Sequence, residues 1–383
     1  MSSTGTLTPA ERLEALDNRL ASNSLGVHWI LGERRGMELK PWVWPWATIM
    51  SCLEEAGELL QLGRADWDDL VVEGDNFYTD RRVVDLVNPV LAAQSATSRT
   101  LQMCVQLVKP GETAEAHRHT FNALRFVVES KGVYTTVEGE EILMEPGDLC
   151  LTPNWTWHDH TNPTDEPAIW LDLLDSRLSK HVVDVILKDI WAEGPTQTVS
   201  KPPGYYGQRA GAVRPRTVNV GNQAGPSVQG VPYMYKWADT LKSLQEMSAA
   251  GESDPYDGVL LEYTNPVNGG PTTPTTSCRI QMLRPGEVTR SHRHTGMGVY
   301  HVVQGQGITT VGARDKRVFT GGPAGDAQSE SEELAWGERD CFFVPSWRWH
   351  HHRNLSKSEP AILFSLNDRP AIEALGFYME QGS

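Results

Sequence analysis

One motif occurs twice in this 383-residue chain, and the duplication limits its fold more than any other feature. Lys109-Pro110-Gly111-Glu112, leading to Ala116-His117-Arg118-His119-Thr120, returns as Arg284-Pro285-Gly286-Glu287, leading to Ser291-His292-Arg293-His294-Thr295, at a constant offset of 175 positions. The stretch Pro153-Asn154-Trp155-Thr156-Trp157-His158-Asp159-His160, which runs on to Asn162, returns at 345–354 with an offset of 192. An acidic, glycine-rich excursion around residues 321–333 takes up the difference. A two-part repeat with one insertion points to two homologous domains.

The histidines give the repeat its chemistry. On a strand, alternate side chains share a face, so His117 and His119 point one way and Arg118 the other. The answering segment offers a third imidazole on a strand that also carries Trp155 and Trp157, at His158 or at His160. Three neutral nitrogen donors on one face leave about half of an octahedral metal sphere open to a substrate and a gas. A His-x-His pair alone is more often a solvated pair, so the weight rests on its surroundings.

Composition narrows the class. With 39% hydrophobic residues, 34 glycines and 24 prolines, the chain suits a turn-rich β protein of two ordinary domains. A net charge of −15 and a sequence pI of about 5.3 argue against a nucleic-acid footprint. The five cysteines are odd in number, widely spaced and contain no Cys-x-x-Cys pair, so neither a disulfide framework nor a zinc ribbon is suggested. No targeting segment and no membrane span is read in the sequence, and a cytoplasmic protein with free thiols is expected.

Along the chain, Thr8-Pro9-Ala10-Glu11 is a capping box that opens a helix carrying Leu13, Leu16 and Leu20. Lys40-Pro41-Trp42-Val43-Trp44-Pro45-Trp46 reads as an arm whose three indoles demand burial, and such an arm suggests a homo-oligomer. A helix is expected over about 48–60, burying Ile49, Leu53, Leu59 and Leu60. Arg81 and Arg82 face opposite sides of any strand, so at most one enters a barrel, and composition alone makes both surface charges. Strands and tight turns follow from about 96 to 175, in a pattern that fits a jelly-roll barrel, and a helix over about 179–191 closes it. Residues 194–232 form a crossover, and a helix over about 237–247 precedes the second β region. The expected division is an N-terminal helical arm (1–95), a first catalytic barrel (96–193), a connecting segment (194–275) and a second barrel (276–383).

The turns at Gly111, Gly132, Gly147-Asp148 and Pro153, placed around His117, His119 and His158, resemble the two-part cupin signature. One departure is informative. Where cupins commonly carry a glutamate four or five residues after the second histidine, this chain has Ala123 and Leu124. A metal held only by imidazoles keeps its full charge and favours an anionic chelate such as a hydroxy-carboxylate.

More specifically, His117-Arg118-His119-Thr120-Phe121-Asn122-Ala123-Leu124-Arg125-Phe126-Val127-Val128-Glu129 resembles the gentisate 1,2-dioxygenase family, bicupin ring-cleaving dioxygenases that include salicylate and 1-hydroxy-2-naphthoate dioxygenases. Arg81-Arg82 with Asn88-Pro89, Trp157-His158-Asp159-His160, and Asn265-Pro266 with Gly269-Gly270 belong to the same resemblance. It implies a mainly β bicupin, two jelly-roll β-barrels with an N-terminal helical arm. It implies an extradiol-type oxidoreductase that uses dioxygen to open gentisate, or a related ortho-hydroxy aromatic carboxylate, between the carboxyl- and hydroxyl-bearing carbons. The Fe(II) ligands would be His117, His119 and His158. Arg81, Arg125 and His160 would hold the substrate's carboxylate and oxygen substituents, and Gln106 and Asp172 also match family positions.

The second copy differs where chemistry would notice. Tyr300 stands at the position of Arg125 and Gln304 at that of Glu129, yet His292, His294 and His350 survive as candidates for a second metal. With no arginine matched to Arg125, that copy is not expected to process the same substrate. A metal-dependent isomerase or decarboxylase and a small-molecule-binding bicupin are the rival readings.

Overall fold

The computed structural model describes residues 8–23, 38–59, 82–209, 232–313 and 331–383. Two compact units are distinguished. The smaller one, residues 1–38 with 314–327, contains α1 (Pro9–Ser22). Its expected capping box is present: the Thr8 amide donates to Glu11 Oε2 at 2.7 Å and the Glu11 amide to Thr8 Oγ1 at 3.3 Å.

The larger unit comprises residues 39–313 and 328–383. Its first half runs β1 (Trp42–Trp44), α2 (Trp46–Leu59), β2 (Arg82–Asp85), β3 (Gln102–Val108), β4 (Thr113–His119), β5 (Ala123–Glu129), β6 (Val133–Val137), β7 (Glu140–Met144), β8 (Leu149–Thr152), β9 (His158–Thr161), β10 (Ala168–Leu174), α3 (Ser176–Val183) and β11 (Lys188–Ile190). The second half repeats the plan with β12 (Tyr233–Tyr235), α4 (Trp237–Ala250), β13 (Val259–Tyr263), β14 (Ser277–Leu283), β15 (His292–His294), β16 (Gly298–Gln304), β17 (Gly307–Val311), β18 (Glu332–Trp336), β19 (Cys341–Val344), β20 (His350–Asn354), β21 (Ala361–Asn367), a short helix (Arg369–Ala374) and β22 (Glu380–Gly382).

Each half is a jelly roll of two antiparallel sheets. The first joins β12-β8-β5-β10-β3-β2 to β11-β4-β9-β6-β7, and the second joins β1-β19-β16-β21-β14-β13 to β18-β17-β20-β15-β22. β1 therefore completes the second barrel and β12 the first. The exchange is reciprocal in detail. Asp340 accepts the Trp46 amide at the start of α2 at 2.7 Å, and Asp148 accepts the Trp237 amide at the start of α4 at 2.8 Å. The Pro146-Gly147-Asp148 turn needs its glycine twice over, because φ is +84° and an added Cβ would stand 2.5 Å from Trp237.

The six-stranded sheets pack back to back, so their strands are buried on both faces and read as nearly continuous apolar runs. Ile169, Leu171 and Leu173 of β10 enter the core shared by the barrels, whereas Trp170 enters the first barrel with Val127, Val133 and Met144. Phe126 and Phe364 stack across the shared core with centroids 4.3 Å apart. Two carboxylates staple its ends. Asp175 accepts from the Asn122 amide at 2.7 Å and from Thr275 Oγ1, while Asp368 accepts from the Met297 amide at 2.7 Å and from Thr100 Oγ1 at 2.6 Å. Burial raises the pKa of both carboxyl groups.

Several expectations are corrected. The helix placed over 179–191 is the shorter α3, ended by Asp184 in the left-handed conformation (φ 54°), and the following apolar run forms β11 against the histidine strand, with Lys188 opposite His119 and Ile190 opposite His117. Leu59 ends α2 at 61% exposed rather than buried, and Leu60 lies outside the described residues. Of the three indoles in the arm, Trp44 is buried but Trp42 is 40% exposed, because β1 is an edge strand. The arm pairs within its own chain, so the oligomer inferred from it loses that support. Arg82 is not a surface charge: it is buried and forks onto Glu112, whose carboxylate neutralises it, and Glu112 also accepts the Lys109 amide at 2.7 Å. Arg81 lies outside the described residues.

Candidate metal centre

β4 and β9 pair antiparallel with His117 opposite His158, and the alternation of β4 turns His117 and His119 to the same side. Ring centroids are 5.5 Å apart for His117–His119, 4.4 Å for His117–His158 and 4.9 Å for His119–His158. One nitrogen from each ring lies within 4.8 Å of the others. All three rings are buried.

Each ring is fixed by its own backbone. Nδ1 of His117, His119 and His158 lies 2.8, 2.8 and 2.9 Å from the carbonyls of Glu115, Phe121 and Thr156 respectively. A carbonyl only accepts, so Nδ1 carries the proton and the Nε2 lone pair faces inward, the tautomer a metal requires. His158 Nε2 is buried with no hydrogen-bond partner. Burial, then the Arg125 charge and the other imidazoles, holds His158 well below the ordinary histidine range, so it is neutral at physiological pH. Three buried, pre-oriented imidazoles fit a divalent first-row metal.

The neighbouring barrel wall is polar. Arg125 on β5 lies 3.2 Å from Asp172 Oδ1 on β10 and donates from Nη1 to Thr152 Oγ1 at 2.8 Å. Trp170 Nε1 donates to the same Asp172 oxygen at 3.2 Å, and Gln106 on β3 is opposite Trp170 in register. His160 is buried on the same face of β9 as His158, with its ring 5.0 Å from Trp170. The structure thus gathers His117, His119 and His158, and beside them Arg125, His160, Gln106 and Asp172. Cys104, opposite Asp172 in register and on the same face of β3 as Gln106, donates to Asp85 Oδ1 at 3.0 Å.

Sequence reasoning missed what holds the triad from behind. The Arg118 guanidinium lies 4.4 Å from the Trp155 ring and 4.6 Å from the Trp157 ring, and its Nε and Nη2 donate to Asp189 at 2.9 and 2.7 Å. Trp155 is left-handed (φ 61°), a costly conformation for an aromatic residue, and its amide closes onto the His119 carbonyl at 2.8 Å. The clamp is copied in the second barrel, where Arg293 lies 4.4 and 4.6 Å from Trp347 and Trp349 and Trp347 has φ 59°. The visible signal was an arginine between both histidine pairs and a Trp-x-Trp-His in both answering segments.

The second triad has nearly the same geometry. Centroids are 5.5 Å apart for His292–His294, 4.3 Å for His292–His350 and 5.2 Å for His294–His350. His294 and His350 are fixed on the carbonyls of Gly296 and Arg348 at 2.8 and 3.0 Å, but His292 Nδ1 has no hydrogen-bond partner. His352, the counterpart of His160, was also overlooked; its Nδ1 meets Thr309 Oγ1 at 2.8 Å. The expected lack of a matched cation needs correction, since Arg279 and Arg369, from other positions, line this cavity together with Asp257.

Residues 104–174 match the cupin domain family. The chain is 36% identical over 378 residues to a 5-aminosalicylate 1,2-dioxygenase from Comamonas sp., covering 96% of this chain and 90% of that one. It is 36% identical to a gentisate 1,2-dioxygenase from Haloferax sp., over 82% of this chain and 86% of the relative. The crystal structure of a salicylate 1,2-dioxygenase from Pseudoaminobacter salicylatoxidans with gentisate adducts superposes with a TM-score of 0.76 at 28% identity, covering 100% and 97% of the two chains. The duplicated jelly rolls, the histidine triad and similarity along the whole length agree: the chain belongs to the gentisate 1,2-dioxygenase family of bicupin ring-cleaving dioxygenases.

Proposed function

We propose that the first barrel uses Fe(II) and dioxygen to open gentisate, giving maleylpyruvate, or a related ortho-hydroxy aromatic carboxylate, by breaking the bond between the carbons bearing the carboxyl and hydroxyl groups. The cleavage is extradiol-like in lying beside a ring hydroxyl, although no vicinal diol is needed. The observation that carries the reading is the set of three imidazoles fixed through Nδ1, with Arg125 in the adjacent wall. His117, His119 and His158 would hold the iron, which when bound supplies a point for chelating the substrate and for activating dioxygen.

The remaining work falls to this chain's own side chains. Arg125, oriented by Asp172 and Thr152, offers planar donors to a carboxylate, and arginine suits this better than lysine. His160 would exchange a proton with the ortho hydroxyl, and Gln106 would donate to a ring substituent. Arg81 remains a substrate-binding candidate from the sequence, because Arg82 is committed to Glu112. The absence of a carboxylate at 123–124 leaves the ion's charge to the substrate's two oxygens. A homo-oligomer is supported by exposed apolar side chains at Val182, Val185, Ile186, Leu187 and Ile190, next to the histidine strand. Among the described residues no helix is long and apolar enough to cross a membrane.

The test is oxygen uptake by iron-loaded protein against gentisate, salicylate, 5-aminosalicylate and 1-hydroxy-2-naphthoate, with benzoate as control. Uptake with at least one hydroxy acid and none with benzoate is expected. No uptake with any of them would sink the reading in favour of a cupin isomerase, decarboxylase or binding protein.

A further inference from the structure

We propose that the second barrel binds its own divalent first-row metal ion through His292, His294 and His350, with water in the remaining positions and no room for an aromatic acid. This inference stands apart from the activity assigned to the first barrel.

The metal is argued from geometry. Corresponding ring separations in the two triads agree within a few tenths of an ångström. His350 Nε2 is buried without a hydrogen-bond partner, as His158 Nε2 is in the first triad. Buried polar atoms left in this state are costly, and a metal in the triad satisfies the inward nitrogens at once. The ion would also reinforce a weak seam, because β15 is only three residues long and pairs with β20 at the single position His292–His350.

The excluded ring is argued from packing. Where the first barrel has Arg125 opposite Cys150, the second has Tyr300 opposite Phe342. Those two rings stack at 4.6 Å with planes 1° apart, and Trp336 stacks on Phe342 at 6.0 Å. The cavity left beside His292 and His294 measures ≈20 Å³. That is room for a single water, whereas an apolar cavity that admits one benzene measures about 150 Å³.

The unanchored His292 sets the relative affinities. Loss of a hydrogen bond behind a ligating histidine typically weakens metal binding by about 10- to 100-fold, so the second site should release its ion first.

The experiment saturates the full chain with Fe(II) under anaerobic conditions, removes free ion and counts metal by mass spectrometry. Two ions per chain are expected in the parent, one in the His292→Ala/His294→Ala variant and one in the His117→Ala/His119→Ala variant. Graded chelation of the parent should proceed in two steps, the first absent from the His292→Ala/His294→Ala variant. If that variant does not fold, His294→Gln alone replaces it, with the same loss expected. One ion in the saturated parent, or an undiminished count in the second-barrel variant, overturns the metal site. Calorimetric binding of two gentisates per chain overturns the exclusion of the ring. Each of these results can be obtained whether or not the protein consumes oxygen.

Discussion

Arg125 Nε lies 3.2 Å from Asp172 Oδ1 across the β5–β10 seam, so the first barrel carries a guanidinium whose direction is set before any substrate arrives. Arg125→Leu removes a charge-assisted interaction with the substrate carboxylate that contributes about 1.5–3 kcal/mol. The expected loss in kcat/KM is therefore roughly 10- to 150-fold. Metal content should be unchanged, and a matching loss of iron in the purified variant would show that the arginine only supports the barrel.

His119→Ala should empty the first triad and abolish ring cleavage, while circular dichroism stays that of the parent. The ring is fixed by Phe121 and contributes one of only three nitrogens, and two imidazoles do not make a stable site at a buried position. Turnover that survives the substitution would remove the first barrel as the catalytic centre.

Arg118 never faces the metal, yet it holds the turn that delivers His158. Two partly shielded cation–π contacts contribute about 1 kcal/mol each, so Arg118→Ala should lower unfolding stability by about 2 kcal/mol. Iron affinity should fall as well. Arg118→Lys should recover less than half of the loss, because a point charge cannot stack flat between two indoles. Equal stability of the lysine variant and the parent in denaturant titration would assign the effect to charge alone.

Thiol chemistry checks the burial pattern. Cys52 is exposed and the other four cysteines are buried, and burial pushes up the pKa of Cys104, Cys278 and Cys341 and takes Cys150 up to about 11. A disulfide reagent at pH 8 should titrate one thiol rapidly in the native protein and five in denaturant. Rapid reaction of two or more native thiols would contradict this packing.

The His117–His119 pair was legible because strand parity is a short-range rule and the repeat showed the pattern twice, whereas parity left His158 and His160 equal and only the family resemblance chose His158. The exchanged strands were not legible, although Trp42-Val43-Trp44-Pro45-Trp46-Ala47 and Tyr233-Met234-Tyr235-Lys236-Trp237-Ala238 share a spacing of aromatic residues. Nothing local in either stretch names a partner in the other half. Arg82 was misjudged for a related reason, since its neutralising Glu112 lies thirty positions on and becomes visible only once β2 and β3 are paired. The β11 segment was taken for helix because an apolar run such as Val182 to Ile190 fits either period over so short a length.

The pairing of Trp42–Trp44 with Cys341–Phe343 also has a consequence on the ribosome. The partner strand is synthesised roughly 300 residues later, and at about 5–20 residues per second this is a wait of roughly 15–60 s. The first barrel can close sooner, because Tyr233–Tyr235 reaches β8 well before the second barrel exists. During that interval Trp42 and Trp44 have no strand to join, and a chain whose synthesis stops early keeps them exposed. Trp44, buried in the finished molecule, is thus apolar surface that only an unfinished chain presents.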